Sequence, residues 1–329
     1  MLITGGAGYI GSHAAKFVAQ HGWNPIVVDN LERGRLEAVK WGPLVIADIR
    51  DRPALDRLFE QYSIQCVMHF AALIAVGESM HAPDLYFRNN VAGTLSLLDA
   101  MHAHDVRTIV FSSTAAVYGD PISVPISEDH PHQPVSPYGE SKHMVERLLY
   151  WYACAFGLRW VALRYFNAAG ADSDGEIGEN HDPETHLIPL AISAALGSGD
   201  VLKIFGTDYP TPDGTAIRDY LHVTDLAAAH LAALNYIESG GESTAVNLGT
   251  GQGNSVLEVM SMVERVSGRK VPLQYTGRRA GDPPILVADA RKAAQLLGWR
   301  TEHSALEEIV RTAWNWKMKS GTRSSTPVG

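Results

Sequence analysis

The expected fold is α/β: a doubly wound parallel sheet, Rossmann-like, with a smaller C-terminal substrate-binding lobe. Three features predict it. Short apolar, β-branched runs alternate with helical segments through the first half; a glycine-rich turn joins the first such pair; and beyond about Asn167 the chain changes to longer loops bearing Gly, Pro and charge. A length of 329 residues, 46% of them apolar, suits two domains, or one doubly wound domain with a lobe built onto it.

In order, the runs are 2-LIT-4, 26-IVV-28, 44-LVIA-47, 66-CVMHF-70, 108-TIVF-111 and 160-WVALRY-165. Both parities are apolar, as in strands covered on both faces. The segments 53-PALDRLFEQY-62, 91-VAGTLSLLDAMHA-103 and 141-SKHMVERLLYWYACAF-156 place apolar residues at helical spacing. Repeated βαβ units follow. Residues 1–166 read as a dinucleotide-binding domain, with returning segments near 216–250. Residues 167–329 read mainly as the lobe, whose loops 171–185, 206–215 and 277–284 stand where a substrate would be gripped. The short first strand is expected to be weakly anchored at its start, and residues 320–329 to form a disordered tail.

Lys and Arg total 27 against 36 Asp and Glu, a formal charge of −9. That balance disfavours nucleic acid and anionic membranes as partners, so any anionic ligand needs local donors. No run of about 18 apolar residues and no charged, greasy leader is present, so neither a membrane anchor nor an export signal is expected. The two cysteines, Cys66 and Cys154, each lie in an apolar stretch and read as buried thiols of a cytoplasmic protein. Among 14 histidines, even 181-HDPETH-186 lacks HExxH or Cys/His spacing, and no metal site is expected.

The strongest motif is 4-TGGAGYIGSH-13, where Gly5, Gly8 and Gly11 lie between a strand and a helix. Glycines there permit a tight turn and close approach of backbone to a pyrophosphate at the helix N-terminus. Asp29, about 20 residues on at the end of the next strand, suits a ribose diol and repels a 2′-phosphate, which favours NAD over NADP. Arg33 and Arg35 in the following loop are expected to be solvated. In 136-SPYGESK-142, Ser136 can cap a helix, Pro137 can open it, and Tyr138 and Lys142 then share a face one turn apart. Ionising a phenol near pH 7 needs a shift of about 3 units, for which Lys142, a positive nicotinamide and the helix N-terminus are available. A surface Tyr and Lys is the plain alternative for an isolated pair. Ser112, Ser113 and Thr114 follow the fifth strand, at the end where doubly wound sheets bind ligands, and at least one of them should simply cap a turn.

Together TGGAGYIGSH, HFAALIAVGES, FSSTAAVYG, SPYGESK and LRYFNAAGA resemble the extended short-chain dehydrogenases/reductases, and within them the UDP-glucose 4-epimerase branch. THLIPLA, IFGTDYPTPDGTAIRDYLHV, NLGTG and RRAGDPP carry the likeness over nearly the whole chain. The resemblance implies NAD-dependent inversion at C4 of a UDP-hexose, with Tyr138 as base, Lys142 as its electrostatic partner and Thr114 as the hydroxyl beside the sugar O4. It implies cofactor contacts from Gly5, Gly8, Tyr9, Ile10, Gly11, Asp29, Asn30, Asp48, Ile49, Phe70, Ala71, Ala72, Asn89, Ser112 and Tyr165, besides Tyr138 and Lys142. It implies a UDP-sugar grip from Asn167, His186, Leu187, Phe205, Arg218, Arg279, Asp282 and Leu286. A homodimer, paired through the wide apolar faces of 91–103 and 141–156, is the expected assembly. The arginines also have a case of their own, since a pyrophosphate in an acidic protein needs charge-assisted donors; an ion pair of Arg218 with Asp219 is the alternative.

Three departures stand out. Ile74 replaces a Lys common in HFAGLKAVGES, which weakens the expected hold on the cofactor; Arg33 and Gly34 stand where small polar residues are frequent; and the first strand is short. A sugar-nucleotide dehydratase would need an acid and a base after the Thr, where Ala115 and Ala116 stand. A UDP-pentose or UDP-uronate 4-epimerase stays open, as does a non-catalytic NAD-binding sensor on the same fold. Leu286 occupies a position where some members carry a bulky Tyr. It would admit an N-acetyl group at C2, unless it merely packs against the next element.

Overall fold

The computed structural model describes residues 1–279 and 281–323. Strand β1 (Leu2–Thr4) leads through the glycine turn into α1 (Tyr9–Gln20); β2 (Ile26–Asp29), β3 (Leu44–Ile46), α2 (Arg52–Gln61) and β4 (Val67–His69) follow. Two single-turn helices, α3 (Val76–Ser79) and α4 (Pro83–Tyr86), run through a π-helical stretch (Phe87–Ala92) into α5 (Gly93–Ala103). Next come β5 (Thr108–Ser112), α6 (Pro137–Phe156), β6 (Arg159–Tyr165) and β7 (Asn167–Ala169). The remainder holds α7 (Leu187–Leu196), β8 (Leu202–Phe205), β9 (Ile217–Arg218), β10 (Tyr220–His222), α8 (Val223–Glu238), β11 (Thr244–Leu248), β12 (Asn254–Ser255), α9 (Val256–Ser267), β13 (Leu273–Thr276), β14 (Ile285–Leu286), α10 (Arg291–Leu297) and α11 (Leu306–Arg323).

Among the described residues the largest sheet has seven strands, all parallel, in the order β11-β6-β5-β4-β1-β2-β3. Its two faces account for the apolar character of both parities. Ile3, Val27, Met68, Val110 and Val161 pack with α1 and α8 on one side, while their neighbours Leu2, Val28, Val67, Ile109 and Ala162 pack with α2, α5 and α6 on the other. The order reverses at β1, between β4 and β2, and this switch point opens a crevice at the strands' carboxyl ends. A separate core joins α7, β8, α9 and α11 through Ile192, Ile204, Val259, Val263 and Ile309.

Four local expectations change. The first strand is central and firmly held: Leu2 and Ile3 are fully buried, and the Leu2 N–H donates to the Cys66 carbonyl at 2.9 Å. Strand length misled here, because neighbours on both sides anchor β1. Cys66 is buried and its thiol is pushed up to about 12 chiefly by that burial, but Cys154 lies exposed on the outer face of α6. The helix read from 91 starts earlier, through the π-helical turn. Finally, 320–323 belong to α11, so the proposed tail does not begin at 320; residues 324–329 lie outside the described residues.

Candidate active site

The crevice is lined where backbones meet without intervening side chains. Gly5 turns with φ +70°, and a Cβ on it would stand 2.6 Å from the Ala71 nitrogen. A Cβ on Gly11 would stand 2.2 Å from the Gly5 carbonyl oxygen, which is why glycine is needed at both. Helix α1 starts at Gly8 with no side-chain cap and no acidic residue in its first turn, leaving free donors and a positive dipole end for an anion. Tyr9 sends its hydroxyl to the Gly170 carbonyl (2.6 Å) and Ile10 packs on the core, so each offers the crevice only its backbone N–H.

Asp29 ends β2 with Oδ2 accepting the Ala7 N–H (3.0 Å) and Oδ1 the Leu31 N–H (2.9 Å). Burial raises its pKa and the two donors oppose the rise. Gly34 is explained by this residue, for a Cβ there would lie 2.7 Å from Asp29 Oδ1. The two arginines of this loop are not simply solvated. Arg33 pairs with Glu78 at 2.8 Å, and Arg35 is half-buried with its backbone N–H on the Ala7 carbonyl, because the loop folds back over the glycine turn. Asn30 donates to Asp48 (3.0 Å), whose carboxyl is held at about 2 chiefly by hydrogen bonds from Arg50. Ile49 and Phe70 are buried, and Ala71 and Ala72 follow the exit of β4. Asn89 donates to the Asn90 side chain (3.0 Å), which in turn binds both the N–H and the carbonyl of Leu73. Ile74, at the next position, is 45% exposed.

The chemistry-bearing side chains converge at the ends of β5 and β6. Ser136 caps α6 by accepting the Gly139 N–H at 3.1 Å, Pro137 opens the helix, and Tyr138 sits in its first turn. Tyr138 lies next to Thr114, whose Oγ1 accepts the Ala116 N–H (3.2 Å) and so caps a short turn. Lys142 is 3% exposed and its Nζ donates to the Ser112 carbonyl at 2.8 Å. The Ser112 and Tyr165 hydroxyls bond each other. Ser113 does not face the crevice; it donates to the buried Glu146 at 2.6 Å, because β5 alternates its side chains between the two faces.

The electrostatics differ from the sequence argument. Burial raises the Tyr138 phenol and the neighbouring Thr114 hydroxyl only partly offsets it, so the ligand-free chain keeps it protonated. Burial also depresses Lys142 to about 7, with Glu146 opposing. It is therefore not a fixed ammonium at neutral pH. A buried Lys with a folded pKa below its unfolded value penalises the fold while charged, and the penalty relaxes as pH rises from about 7 towards the unfolded value of about 10.4. Ligand-stripped wild type should accordingly gain stability relative to Lys142→Met between about pH 7 and 9, by up to about 1.4 kcal/mol per pH unit. Urea unfolding at several pH values checks this, and parallel pH profiles of the two proteins would contradict it.

On the lobe side, β9 and β14 run side by side with Arg218 opposite Leu286. Arg218 pairs with Asp282 rather than with the adjacent Asp219, whose carboxylate is taken by the N–H groups of Thr250, Gly251 and Ala288. Arg279 is exposed and its guanidinium lies 3.9 Å from the centre of the Phe205 ring. Asn167 is tied to the Asp219 carbonyl through its backbone N–H (3.2 Å) and side chain (3.1 Å). Leu286 packs, as do Ala115 and Phe166, on the Val117, Tyr118 and Ile126 cluster that follows the Thr114 turn. Leu187 packs into the lobe core.

The 179–186 loop departs from expectation. The ligand atoms of Glu179, His181, Glu184 and His186 all lie within 4.8 Å of one another. Burial alone would lower His186, but Glu179 (2.6 Å) and Glu184 (3.1 Å) carry it to about 10. Motif spacing overlooked this group because Glu179 lies outside 181–186. Also missed were Glu146, detectable as the residue one turn beyond Lys142, and Asn90, which had no local signal because its partner Leu73 is supplied by another element.

A family described as "NAD dependent epimerase/dehydratase family" matches residues 1–249. The chain is 52% identical over 320 residues to a UDP-glucose 4-epimerase of Rhizobium leguminosarum bv. trifolii, spanning 97% of this chain and 98% of that protein. The UDP-glucose 4-epimerase from Brucella ovis, solved in complex with NAD, superposes with a TM-score of 0.94 at 52% identity, covering 95% of this chain and 97% of that one. A UDP-glucose 4-epimerase from Stenotrophomonas maltophila, solved with bound NAD and formylated UDP-arabinopyranose, gives a TM-score of 0.95 at 41% identity, covering 98% and 99%.

Proposed function

We propose, from the premise that this chain belongs to the NAD dependent epimerase/dehydratase family, that it interconverts UDP-glucose and UDP-galactose by inverting C4 of the hexose. The observation that carries the reading is the placement of Tyr138 next to Thr114 beyond β5, with Lys142 one turn further along α6, its Nζ on the Ser112 carbonyl, and Ala115 and Ala116 following the threonine. Methyl groups transfer no protons, so the site has a base for oxidation at C4 and nothing at those positions for eliminating water.

NAD is the cofactor, and the residues fit it: an uncapped helix N-terminus for the pyrophosphate, no side chain between Gly5, Gly11 and Ala71, and Asp29 for the ribose diol. When bound, it supplies a reversible hydride acceptor for C4 and a positive ring beside the phenol. Tyr138 takes the O4 proton as C4 is oxidised and returns it as C4 is reduced. Thr114 lies between the phenol and the sugar O4 and orients that hydroxyl. Lys142, anchored on the Ser112 carbonyl, fixes the electrostatic environment of the phenol from the helix face. Arg218 and Arg279 supply charge-assisted donors for the pyrophosphate, with Asp282 orienting Arg218. Phe205 offers a flat apolar face to the uracil. Such a division, with the nucleotide held and the sugar loosely contacted, lets either face of C4 meet the hydride acceptor.

Incubating the protein with UDP-galactose should yield UDP-glucose with no net NADH. Retained NAD without conversion would leave a sensor instead. The modest Leu286 side chain, on the same small cluster as Ala115, supports a wider specificity, and turnover of UDP-GlcNAc to UDP-GalNAc is expected. A rate equal to background, under conditions where UDP-galactose turns over, would refute it. Exposed Leu95, Met144, Tyr150 and Trp151 on α5 and α6 support pairing of two copies across a two-fold axis, which sedimentation can test. No described helix is long and apolar enough to cross a membrane.

A further inference from the structure

Outside the crevice, one group of side chains has a composition that the epimerase chemistry does not use. Glu179, His181, Glu184 and His186 come from a single loop between β7 and α7, and their donor atoms gather within 4.8 Å. The Nδ1 atoms of His181 and His186 stand 3.0 and 2.6 Å from the same oxygen, Glu179 Oε1. Glu184 Oε1 stands 3.1 Å from His186 Nδ1. The Glu179 side chain is only 6% exposed, yet among the described residues the ion-pairing partners of these two carboxylates are imidazoles alone, with no Lys or Arg. Two carboxylates and two imidazoles whose donor atoms lie within 4.8 Å of one another, one carboxylate buried, form a donor set that a divalent cation satisfies better than shared protons do.

We infer that this loop is a binding site for one divalent cation of borderline softness, of the Zn²⁺ class, held by Glu179, His181, Glu184 and His186. Two nitrogen and two oxygen donors in a four-ligand set match Zn²⁺ or Co²⁺; Ca²⁺ and Mg²⁺ favour all-oxygen shells with more ligands. The site is structural. All four candidate ligands come from the protein, and the loop is fastened around it: Trp316 donates its indole N–H to the Glu179 carbonyl (2.9 Å), and the His181 ring meets Tyr9 edge-on at 6.2 Å. A cation here would tie the first residue of α1 to the N-cap of α7, stiffening the wall between the glycine turn and the lobe.

The test uses the full-length protein dialysed against a chelator and then titrated with Zn²⁺ and, separately, with Co²⁺. One equivalent per chain is expected, with the intense visible absorption of four-coordinate Co²⁺ and a rise in Tm on adding Zn²⁺. His181→Ala and Glu179→Gln should each weaken Zn²⁺ affinity by about tenfold or more, while the control His21→Ala at an exposed surface position leaves it unchanged. Should either variant fail to fold, X-ray absorption of the Zn²⁺-loaded wild type decides the matter by reading two imidazoles in an all-nitrogen/oxygen shell. Absence of stoichiometric binding, binding that survives in both folded variants, or a shell with fewer than two imidazoles would each overturn the site. None of these readouts depends on turnover, so the assignment of the reaction stands or falls separately.

Discussion

Tyr138→Phe is expected to lower the rate of UDP-galactose conversion by about 10²–10⁴-fold, the usual contribution of a positioned general base. That loss corresponds to about 2.7–5.5 kcal/mol of transition-state stabilisation. The phenol is half-buried in the first turn of α6 next to Thr114, so removing its oxygen deletes the proton acceptor and leaves the fold and the glycine crevice in place. NAD content after purification should match wild type, because Gly5, Gly8, Gly11 and Asp29 are untouched. Thr114→Val should also slow turnover, and the double variant should lose less than the sum of the two, since both changes interrupt one proton path. Undiminished turnover by the Phe variant, measured with a coupled UDP-glucose assay, would remove Tyr138 from the chemistry.

Glu146→Ala is expected to destabilise the protein by about 3–5 kcal/mol. Arg164 forms a fork with Glu146, Nε to Oε1 at 2.9 Å and Nη2 to Oε2 at 2.5 Å, and the two side chains are only 4% and 6% exposed. The pair extends through the Tyr118 hydroxyl, 2.8 Å from Arg164, to Asn247 on β11 at 2.6 Å. Removing the carboxylate leaves a guanidinium buried with no counter-charge, whereas Glu146→Met combined with Arg164→Met should recover most of the loss. Urea denaturation of the single and double variants reads both effects. A single-variant loss below about 1 kcal/mol would show that the pair behaves as a surface bridge. The substitution also bears on function, because Glu146 supports the charge on Lys142 one turn earlier.

The doubly wound sheet was legible because its signals are local. Leu2 and Ile3, or Val27 and Val28, are apolar at both parities since each face of a parallel sheet is covered, and that pattern needs no knowledge of partners. The same holds for Ser136 and Pro137 opening α6, and for Asp29 after the next strand. Strand length and neighbouring hydrophobicity were poor guides to burial. The three-residue β1 is central because strands on both sides hold it, and Cys154 is exposed because one turn of α6 faces outward.

Within the candidate site, residue identities were readable and their partners were not. Ser113 looked equivalent to Ser112 and Thr114, but strand alternation turns it into the Glu146 pair. For Arg218 the alternative to a ligand role is an ion pair with Asp219, its neighbour in sequence, yet the partner it meets is Asp282, 64 residues away. The strand–turn–helix that opens the crevice and the Tyr–Lys spacing on α6 follow from local order alone, because both rest on interactions spanning a few residues. The shifts of Tyr138 and Lys142, the partner of Arg218 and the gathering of Glu179, His181, Glu184 and His186 depend on the packed fold. Burial and charge pairing are set by whichever distant elements close around a group, and the linear order of residues carries no record of that closure.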